Sequence, residues 1–212
     1  MLLLLAVPQL AGTLQPQPRN AEQLAAEGLK RFEVERGHIE FKLEGIFTGR
    51  ELLYFDDYGW HEARWKEGSN TQFGAPREEK RMDMIDGEFA VNADLIQAKG
   101  TKTSSRRNTR LLSEHGSKSM AELQPQLLAA AGATVVGKET VLGKKCTVYV
   151  QESTGTKIWL WNGLTLKSQT GVGEQMLTTE AVNIDLELEM EEAFFSLPKY
   201  VRVMDLGPLP ER

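Results

Sequence analysis

The stretch IWLWNGLTL, residues 158–166, gives the strongest indication of the fold. At its centre, Asn162-Gly163 supplies the two residues that most readily adopt the positive φ angles of a type I′ turn, and such a turn joins two antiparallel strands. Apolar residues stand on both sides of this turn. The stretch therefore predicts a β-hairpin, and the rest of the chain can be read for more strands of the same kind.

Segments far from this hairpin continue the strand pattern. In residues 38–44, Ile39, Phe41 and Leu43 alternate with polar residues, which is typical of a strand with one buried face. Asp86-Gly87 marks a second hairpin turn. Further strands are predicted at residues 51–55, 60–65, 79–85, 89–93, 134–140, 145–151, 156–161, 164–170 and 176–190.

Helical signals are few. Asn20 can cap a short amphipathic helix over residues 21–30. A second helix is predicted over residues 120–131, broken by Pro125 because proline lacks the N–H group and clashes with the preceding turn. Residues 98–118 are polar and basic without a sustained period, and we predict a loop there. The fold class is therefore α+β and mainly antiparallel β.

The N-terminal residues indicate export. Residues 1–13 begin MLLLLAVPQL, a short apolar run that resembles the central part of a secretory signal, although no basic residues precede it. We predict a disordered lead-in at residues 14–19, one β-rich domain over residues 20–205 and a tail at 206–212. No segment has the roughly 20 apolar residues of a transmembrane helix. The expected product is a soluble monomer in the periplasm or another exported location.

Composition excludes several classes of function. The 212 residues are 41% hydrophobic and 26% charged, as in an ordinary globular protein. The net charge of −5 disfavours nucleic-acid binding, which needs clustered positive charge. Cys146 is the one cysteine, so no intramolecular disulfide can form, and its strand-like surroundings indicate a small buried hydrophobic residue.

No recognisable catalytic or metal motif is present. Residues 61–65, HEARW, begin like a zinc-protease motif but place Trp65 where the second histidine ligand belongs. No nucleophile elbow or phosphate-binding loop occurs, and residues 171–176 lack the third glycine of a dinucleotide fingerprint. We therefore predict no cofactor, no metal and no enzymatic activity, and keep an enzyme of unrecognised type as a remote alternative.

Four residues are candidates for contact with a hydrophobic ligand. Trp159 and Trp161 share one side of a strand whose other side is also apolar, so this strand is either central in the core or borders an apolar cavity. Met82 and Met84 form another same-face pair, and methionine adapts to variable ligands. Packing in the core is the competing interpretation for all four.

Two charged stretches are candidates for contact with a partner. One is the basic stretch and the other is the acidic row on the last predicted strand, and a solvated surface is the simpler reading of both. Their members are Lys99, Lys102, Arg106, Arg107, Arg110 and Lys118 in the first, and Asp185, Glu187, Glu189 and Glu191 in the second.

An ordered set of short segments resembles a known superfamily. The segments are Gly37–Phe41, Leu53–Gly59, Gly137–Cys146, Lys157–Trp159 with Gly163–Lys167, and Phe195–Pro198. Together they resemble exported bacterial proteins related to the periplasmic lipoprotein-carrier (LolA-like) superfamily. The resemblance implies an open, curved half-barrel sheet, helices that cover its concave face, and an apolar cavity for acyl chains.

These observations favour an exported carrier-like protein that holds a lipid, a lipoprotein acyl chain or another hydrophobic ligand. The alternative is a non-enzymatic interaction or structural module of the cell envelope without a bound ligand. Such a module would use the acidic row or the basic stretch as its contact surface.

Overall fold

A twelve-stranded sheet forms the body of the molecule. The computed structural model describes residues 17–72, 74–171 and 175–210. The strands are β1 (Gly37–Gly45), β2 (Phe47–Asp56), β3 (His61–Asn70), β4 (Arg77–Asp86), β5 (Phe89–Asp94), β6 (Lys99–Ser104), β7 (Thr134–Val141), β8 (Lys144–Gln151), β9 (Thr156–Trp161), β10 (Leu164–Thr170), β11 (Leu177–Asp185) and β12 (Arg202–Pro208). The helices are α1 (Ala21–Ala26), α2 (Arg107–Glu114) and α3 (Met120–Ala130).

The strands follow the order β12-β6-β5-β4-β3-β2-β1-β11-β10-β9-β8-β7. Every neighbouring pair is antiparallel except β12 and β6, which are parallel. The sheet is curved and unclosed, with β12 and β7 at its edges. The prediction of a mainly antiparallel, open half-barrel sheet is therefore confirmed.

The predicted hairpin turns form as the sequence indicates. Asn162 and Gly163 have φ angles of 50° and 84° between β9 and β10. A Cβ atom at Gly163 would also lie 2.8 Å from the carbonyl oxygen of Arg31, so the turn requires glycine for space as well as for its backbone angle. Gly87, with φ of 63°, closes the β4–β5 turn.

Two faces can be defined on strands β1–β6 and β12. Face 1 carries Ile39, Phe41 and Leu53, and face 2 carries Tyr54 and Trp65, because successive side chains of a strand alternate. The register of β2 to β6 has no bulge, so residues opposite each other on these strands share a face.

The main cluster is the largest group of buried apolar side chains. Phe32 and Phe55 meet edge to face in it, with ring centroids 5.3 Å apart. The cluster joins β1 and β2 to strands from the other half of the sheet, so the two halves share one core. Its other buried members are Ile39, Phe41, Leu53, Val141, Cys146, Val148, Trp159, Leu164, Leu166 and Ala181.

The helices gather at the hairpin turns at one end of the sheet. Trp60, in the β2–β3 connection, is buried with Leu24, Leu112 and Leu123, one leucine from each helix. Its indole nitrogen donates to the carbonyl oxygen of Leu29 at 3.0 Å. These contacts anchor the helices to the turns, and the expectation that helices cover a concave face stays a prediction.

The C-terminal segment, residues 186–201, covers part of face 2. Phe195 is buried in a cluster with Ala63, Met82, Ala93 and Leu95, which we name the segment cluster. Partly buried residues of the segment complete this packing, namely Met190, Phe194, Leu197 and Val201. The last predicted strand therefore ends earlier than expected, at Asp185 rather than at residue 190.

Asp185 explains that early end. Its side chain accepts a hydrogen bond from the backbone N–H of Glu187 at 2.9 Å, which turns the chain away from the sheet. The acidic row is thus not one strand face, and the residues after Asp185 lie on an irregular segment.

Two helix predictions need correction. Helix α3 continues through Pro125 without a break, because Met120, Leu123 and Leu127 pack on one side of it and outweigh one missing backbone hydrogen bond. Residues 98–118 are not a loop but contain β6 and α2, whose polar sequences lack an apolar period. Their positions depend on pairing with β5 and packing against Trp60.

The predicted boundaries near the two ends of the chain can be compared with the structure only in part. The predicted signal at residues 1–13 lies outside the described residues. In the lead-in, Arg19 is bonded to Glu88, with a nitrogen–oxygen distance of 2.8 Å. At the other end, β12 extends to Pro208, beyond the predicted domain boundary at residue 205.

Candidate ligand-binding grooves

The two predicted tryptophans lie in or against the main cluster. Trp159 is 3% exposed, and its indole nitrogen donates to a carboxylate oxygen of Glu139 at 2.7 Å. The ammonium groups of Lys157 and Lys167 lie 4.4 and 5.3 Å from its ring centroid. Trp161 is partly buried against the same cluster. Hydrogen bonding and cation–π contacts therefore hold Trp159 in one position.

The two predicted methionines lie in another part of the molecule. Met82 is completely buried in the segment cluster, and Met84 packs partly buried against it. Phe194 of the covering segment stacks on Tyr54 at 4.5 Å, and its carbonyl oxygen accepts from the Trp65 indole at 3.1 Å. The structure brings Met82 and Met84 together, but it does not bring them together with the tryptophans.

A large groove lies at the β12 edge of the sheet. This edge groove has a volume of about 1090 Å³ and is formed by β4, β5, β6 and β12. Three of its lining residues are exposed large hydrophobics, namely Ile96, Val203 and Met204. The volume lies slightly above the range for pockets that hold small organic ligands, roughly 300–1,000 Å³.

A row of cations crosses face 1 at this groove. Lys66 lies opposite Arg81 in the β3–β4 register, Arg81 opposite Asp94, Asp94 opposite Lys99, and Lys99 beside Arg202. We name these five residues the cation row. It contains four cations and one carboxylate, and one oxygen of that carboxylate already accepts from two backbone N–H groups of its own turn.

Among the described residues, the cations of this row are not held in ion pairs, a property they share with Lys102, Lys138 and Lys145 on the same sheet. Within residues 17–72, 74–171 and 175–210, none of the four forms an ion pair with a carboxylate. By contrast, Arg50 pairs with Glu67 at 2.6 Å, and Lys167 pairs with Glu180 at 2.9 Å. The edge groove is therefore cationic but has carboxylates nearby, since Asp94 lies opposite Arg81 and Lys99 in the register and Glu51 lies opposite Lys66.

A buried ionic network lies beside the row on face 1. Glu62 is 4% exposed and lies 3.0 Å from Arg31 and 2.7 Å from Arg64, and Arg64 also reaches Glu51 at 2.7 Å. Burial by itself would raise the pKa of Glu62, but the two guanidinium groups outweigh it and hold the pKa below its usual range. The network keeps Arg64 occupied, so this arginine is not a free anion site.

Asp83 lies opposite Arg64 in the register, at the side of this network. Burial raises the pKa of its carboxyl group, and one of its oxygens has no hydrogen-bond partner among the described residues. Asp83 forms no cluster with other potential metal ligands. In the described ranges, no group of three or more histidine, cysteine, aspartate or glutamate residues could hold a metal ion.

Two smaller grooves are less open to a charged or apolar ligand. One, of about 260 Å³, lies between the covering segment and face 2, with Tyr54, Trp65 and Phe194 among its lining residues. The other, of about 540 Å³, lies by α2 and contains Arg19, Arg106 and Lys118. Its basic side chains already have partners, since Arg19 contacts Glu88 at 2.8 Å and Lys118 donates to a backbone carbonyl at 3.0 Å.

Cys146 lies apart from these grooves, in the main cluster. It is completely buried, and burial raises the pKa of its thiol. A thiol without thiolate character is a poor nucleophile. The predicted role of Cys146 as a small buried hydrophobic residue agrees with this position.

Comparison with known proteins gives similarity of fold. No protein-family model matches the sequence, and no curated protein matches it. An uncharacterized conserved protein from Thermus thermophilus is similar with a TM-score of 0.51 and 7% identity, over 87% of this chain and 99% of that one. This likeness supports the architecture of the sheet, and at such an identity it says nothing about a ligand.

Two other solved structures are more distant. MucB has a TM-score of 0.39 and 15% identity over 86% of this chain, which spans 63% of the length of MucB. A LolA-superfamily protein from Nitrosomonas europaea has a TM-score of 0.21 and 9% identity, over 84% of this chain and 98% of that one.

The sequence pattern indicated only part of the edge groove. Lys99 belongs to the predicted basic stretch, whereas no pattern singled out Arg81, Arg202, Ile96 or Met204. The alternating charges of β4 and the apolar residues near the C-terminus were the sequence features that belong to this groove. Their meaning depends on a parallel pairing of β12 with β6, which no local pattern predicts.

Proposed function

We propose that this protein is an exported, carrier-like binding protein that holds a lipid, a lipoprotein acyl chain or another hydrophobic ligand. The observation that carries the proposal is the edge groove, in which three large apolar side chains are exposed around a volume of about 1090 Å³. Covering exposed apolar surface of this kind with a ligand lowers the free energy of the complex. Export rests on the signal-like residues 1–13.

A second location for the ligand follows from the sequence. Trp159, Trp161, Met82 and Met84 remain proposed contact residues, although none of them borders the edge groove. A ligand would reach Met82 only after the C-terminal segment moves off face 2, because that segment covers the side chain now. The four residues either form a second ligand site, separate from the edge groove, or belong to the core, and the variants of Trp159 described below distinguish the two.

Native mass spectrometry tests the proposal. The protein is exported through its own leader, purified without detergent and measured before and after organic extraction. We expect an additional mass that extraction removes and that matches a lipid. A protein that stays free of ligand, even after incubation with envelope lipids, would contradict the proposal.

The alternative is an envelope interaction module without a ligand. Strand β7 favours it, because this edge strand is exposed along almost its whole length and presents Val135 and Val136, at 61% and 57% exposure. An open edge can pair with a strand of another protein. Envelope pull-downs with wild type and with Val135→Lys test it, and loss of a partner with the variant would support this alternative.

The described residues contain no helix long and apolar enough to cross a membrane. The longest of the three helices, α3, has 11 residues.

A further inference from the structure

The cation row places like charges next to each other on neighbouring strands. Lys66 and Arg81 lie directly opposite each other on neighbouring strands, and so do Lys99 and Arg202. Like charges in such positions destabilise a sheet. Asp94 lies between the two pairs and Glu51 lies opposite Lys66, so carboxylates compensate part of the charge. A bound anion would compensate the rest.

Apolar side chains border the same groove. Met204 is 66% exposed and Ile96 is 58% exposed, and both line the edge groove with Arg81, Lys99 and Arg202. The whole lining has five cations, since Arg77 and Lys80 are added to these three, against three carboxylates. The groove thus presents a cationic part and an apolar part to one ligand.

We propose that the edge groove binds one molecule of an anionic amphiphile, a lipid with a phosphate-containing headgroup. The headgroup lies on Arg81, Lys99 and Arg202, and the acyl chains lie against Ile96 and Met204. Arginine suits this role because its planar group can donate two parallel hydrogen bonds to a phosphate. This inference rests on the proposed function and adds the chemical class of the ligand and the residues that select it.

Short-chain lipids test the selectivity, because they dissolve as single molecules. Binding of dihexanoyl phosphatidylglycerol, dihexanoyl phosphatidylcholine and inorganic phosphate is compared by titration calorimetry. We expect phosphatidylglycerol to bind about tenfold or more tightly than phosphatidylcholine, since charge-assisted hydrogen bonds add affinity, and salt to reduce the difference. Phosphate alone should bind weakly, because it lacks the chains.

Matched variants locate the site. Arg81→Gln with Lys99→Gln should lower the affinity for phosphatidylglycerol about tenfold and leave that for phosphatidylcholine unchanged. We expect little change in the unfolding midpoint, because the variant removes like-charge neighbours and the opposite-charge neighbour Asp94 loses two cations at the same time. A midpoint close to that of wild type separates lost binding from lost folding. The control, Lys138→Gln with Lys145→Gln, makes the same charge change on exposed residues at the opposite edge of the sheet.

The outcomes separate the two proposals. Equal binding of both lipids, or no effect of the Arg81 and Lys99 variant, would overturn the anionic-lipid inference and leave the carrier function standing. Phosphate binding as tight as phosphatidylglycerol would also overturn it, because the site would then be one for a free anion. Failure of both lipids, together with a ligand-free native mass, would overturn the carrier function itself.

Discussion

Glu62 is a carboxylate that the fold encloses between two arginines. Its distances to Arg31 and Arg64 are 3.0 and 2.7 Å, and these guanidinium groups hold its pKa below the usual value despite burial. A depressed folded-state pKa means that the ion pairs stabilise the protein at neutral pH. This stabilisation is lost as the pH falls from the ordinary glutamate pKa, about 4.3, through the lower folded-state value.

We therefore predict that Glu62→Gln lowers the free energy of unfolding by about 3–5 kcal/mol at pH 7, because it leaves the largely buried Arg31 without its carboxylate partner. The difference from wild type should shrink in acid, where the wild-type carboxylate is also protonated. Urea denaturation between pH 3 and pH 7 measures both effects. Glu189→Gln, at an exposed position, is the control and should change little.

Substitutions of Trp159 test whether this predicted contact residue belongs to the core. Because the side chain is 3% exposed and packed in the main cluster, Trp159→Ala should lower the free energy of unfolding by about 3–5 kcal/mol. Trp159→Phe should lose less stability than Trp159→Ala, because it keeps an aromatic ring in the cluster. It still loses the 2.7 Å hydrogen bond to Glu139.

The comparison of stability and binding decides the role of Trp159. In the core, Trp159→Phe leaves lipid affinity as in wild type. A fall in affinity greater than the fall in stability would place Trp159 at the ligand instead. Lipid titration of folded Trp159→Phe, with Glu139→Gln as the control for the hydrogen bond alone, makes the measurement.

Among the elements, the C-terminal segment is held to face 2 by few contacts. Phe194 stacks on Tyr54, Phe195 stacks on His61 at 3.8 Å, and Trp65 donates one hydrogen bond to the segment. Irregular chain with few backbone hydrogen bonds opens at a lower free energy than the strands of a sheet. The segment is thus the element most directly able to expose Met82 and Met84.

We predict that Phe194→Ala speeds amide hydrogen exchange across residues 190–201 and increases the binding of an apolar dye, because the cover over the segment cluster is weakened. Exchange mass spectrometry and dye fluorescence measure the two effects. Tyr200→Ala removes an aromatic ring from the same region at 58% exposure and serves as the control. Equal exchange in the two variants would show that Phe194 does not hold the segment.

Pro125 and β6 are two places where contacts with distant residues override the preference of the local sequence. Proline predicts a break. Leu123, before the proline, and Leu127, after it, pack into the same cluster and keep α3 continuous. Lysine, glycine and threonine make β6 resemble a loop, yet β5 and β12 supply partners along both of its edges. In both elements, contacts with distant residues outweigh the local preference.

Across the molecule, one sheet connects three apolar clusters. The cluster of Trp60 with the helix leucines, the segment cluster beside Trp65 and the main cluster with Trp159 share strands β1–β3 or their turns. Continuous hydrogen bonding through these strands couples the clusters. The sheet should therefore unfold as one unit.

We predict coincident urea transitions for all three clusters. Variants that keep only Trp60, only Trp65 or only Trp159, with phenylalanine at the other tryptophans, report each cluster by fluorescence, and circular dichroism reports the sheet. A separate, earlier transition for the Trp65 variant would contradict a single cooperative domain and would indicate that the covering segment and its strands form their own unit.

Features that depend on neighbouring residues could be predicted without the structure. The turn at Asn162-Gly163, the alternation in β1, the cap at Asn20 and the mainly antiparallel class all follow from local backbone preferences and from period-two burial. These preferences act within a few residues, so a single sequence is enough to recognise them.

The location of the candidate site, by contrast, depends on how distant strands pair. Lys66, Arg81, Lys99 and Arg202 come from four strands, and nothing local in the sequence connects residue 66 with residue 202. Strand register makes them neighbours, and the parallel pairing of β12 with β6 closes the groove around them. Register follows from the burial of whole faces across the sheet, which is a property of all the strands together.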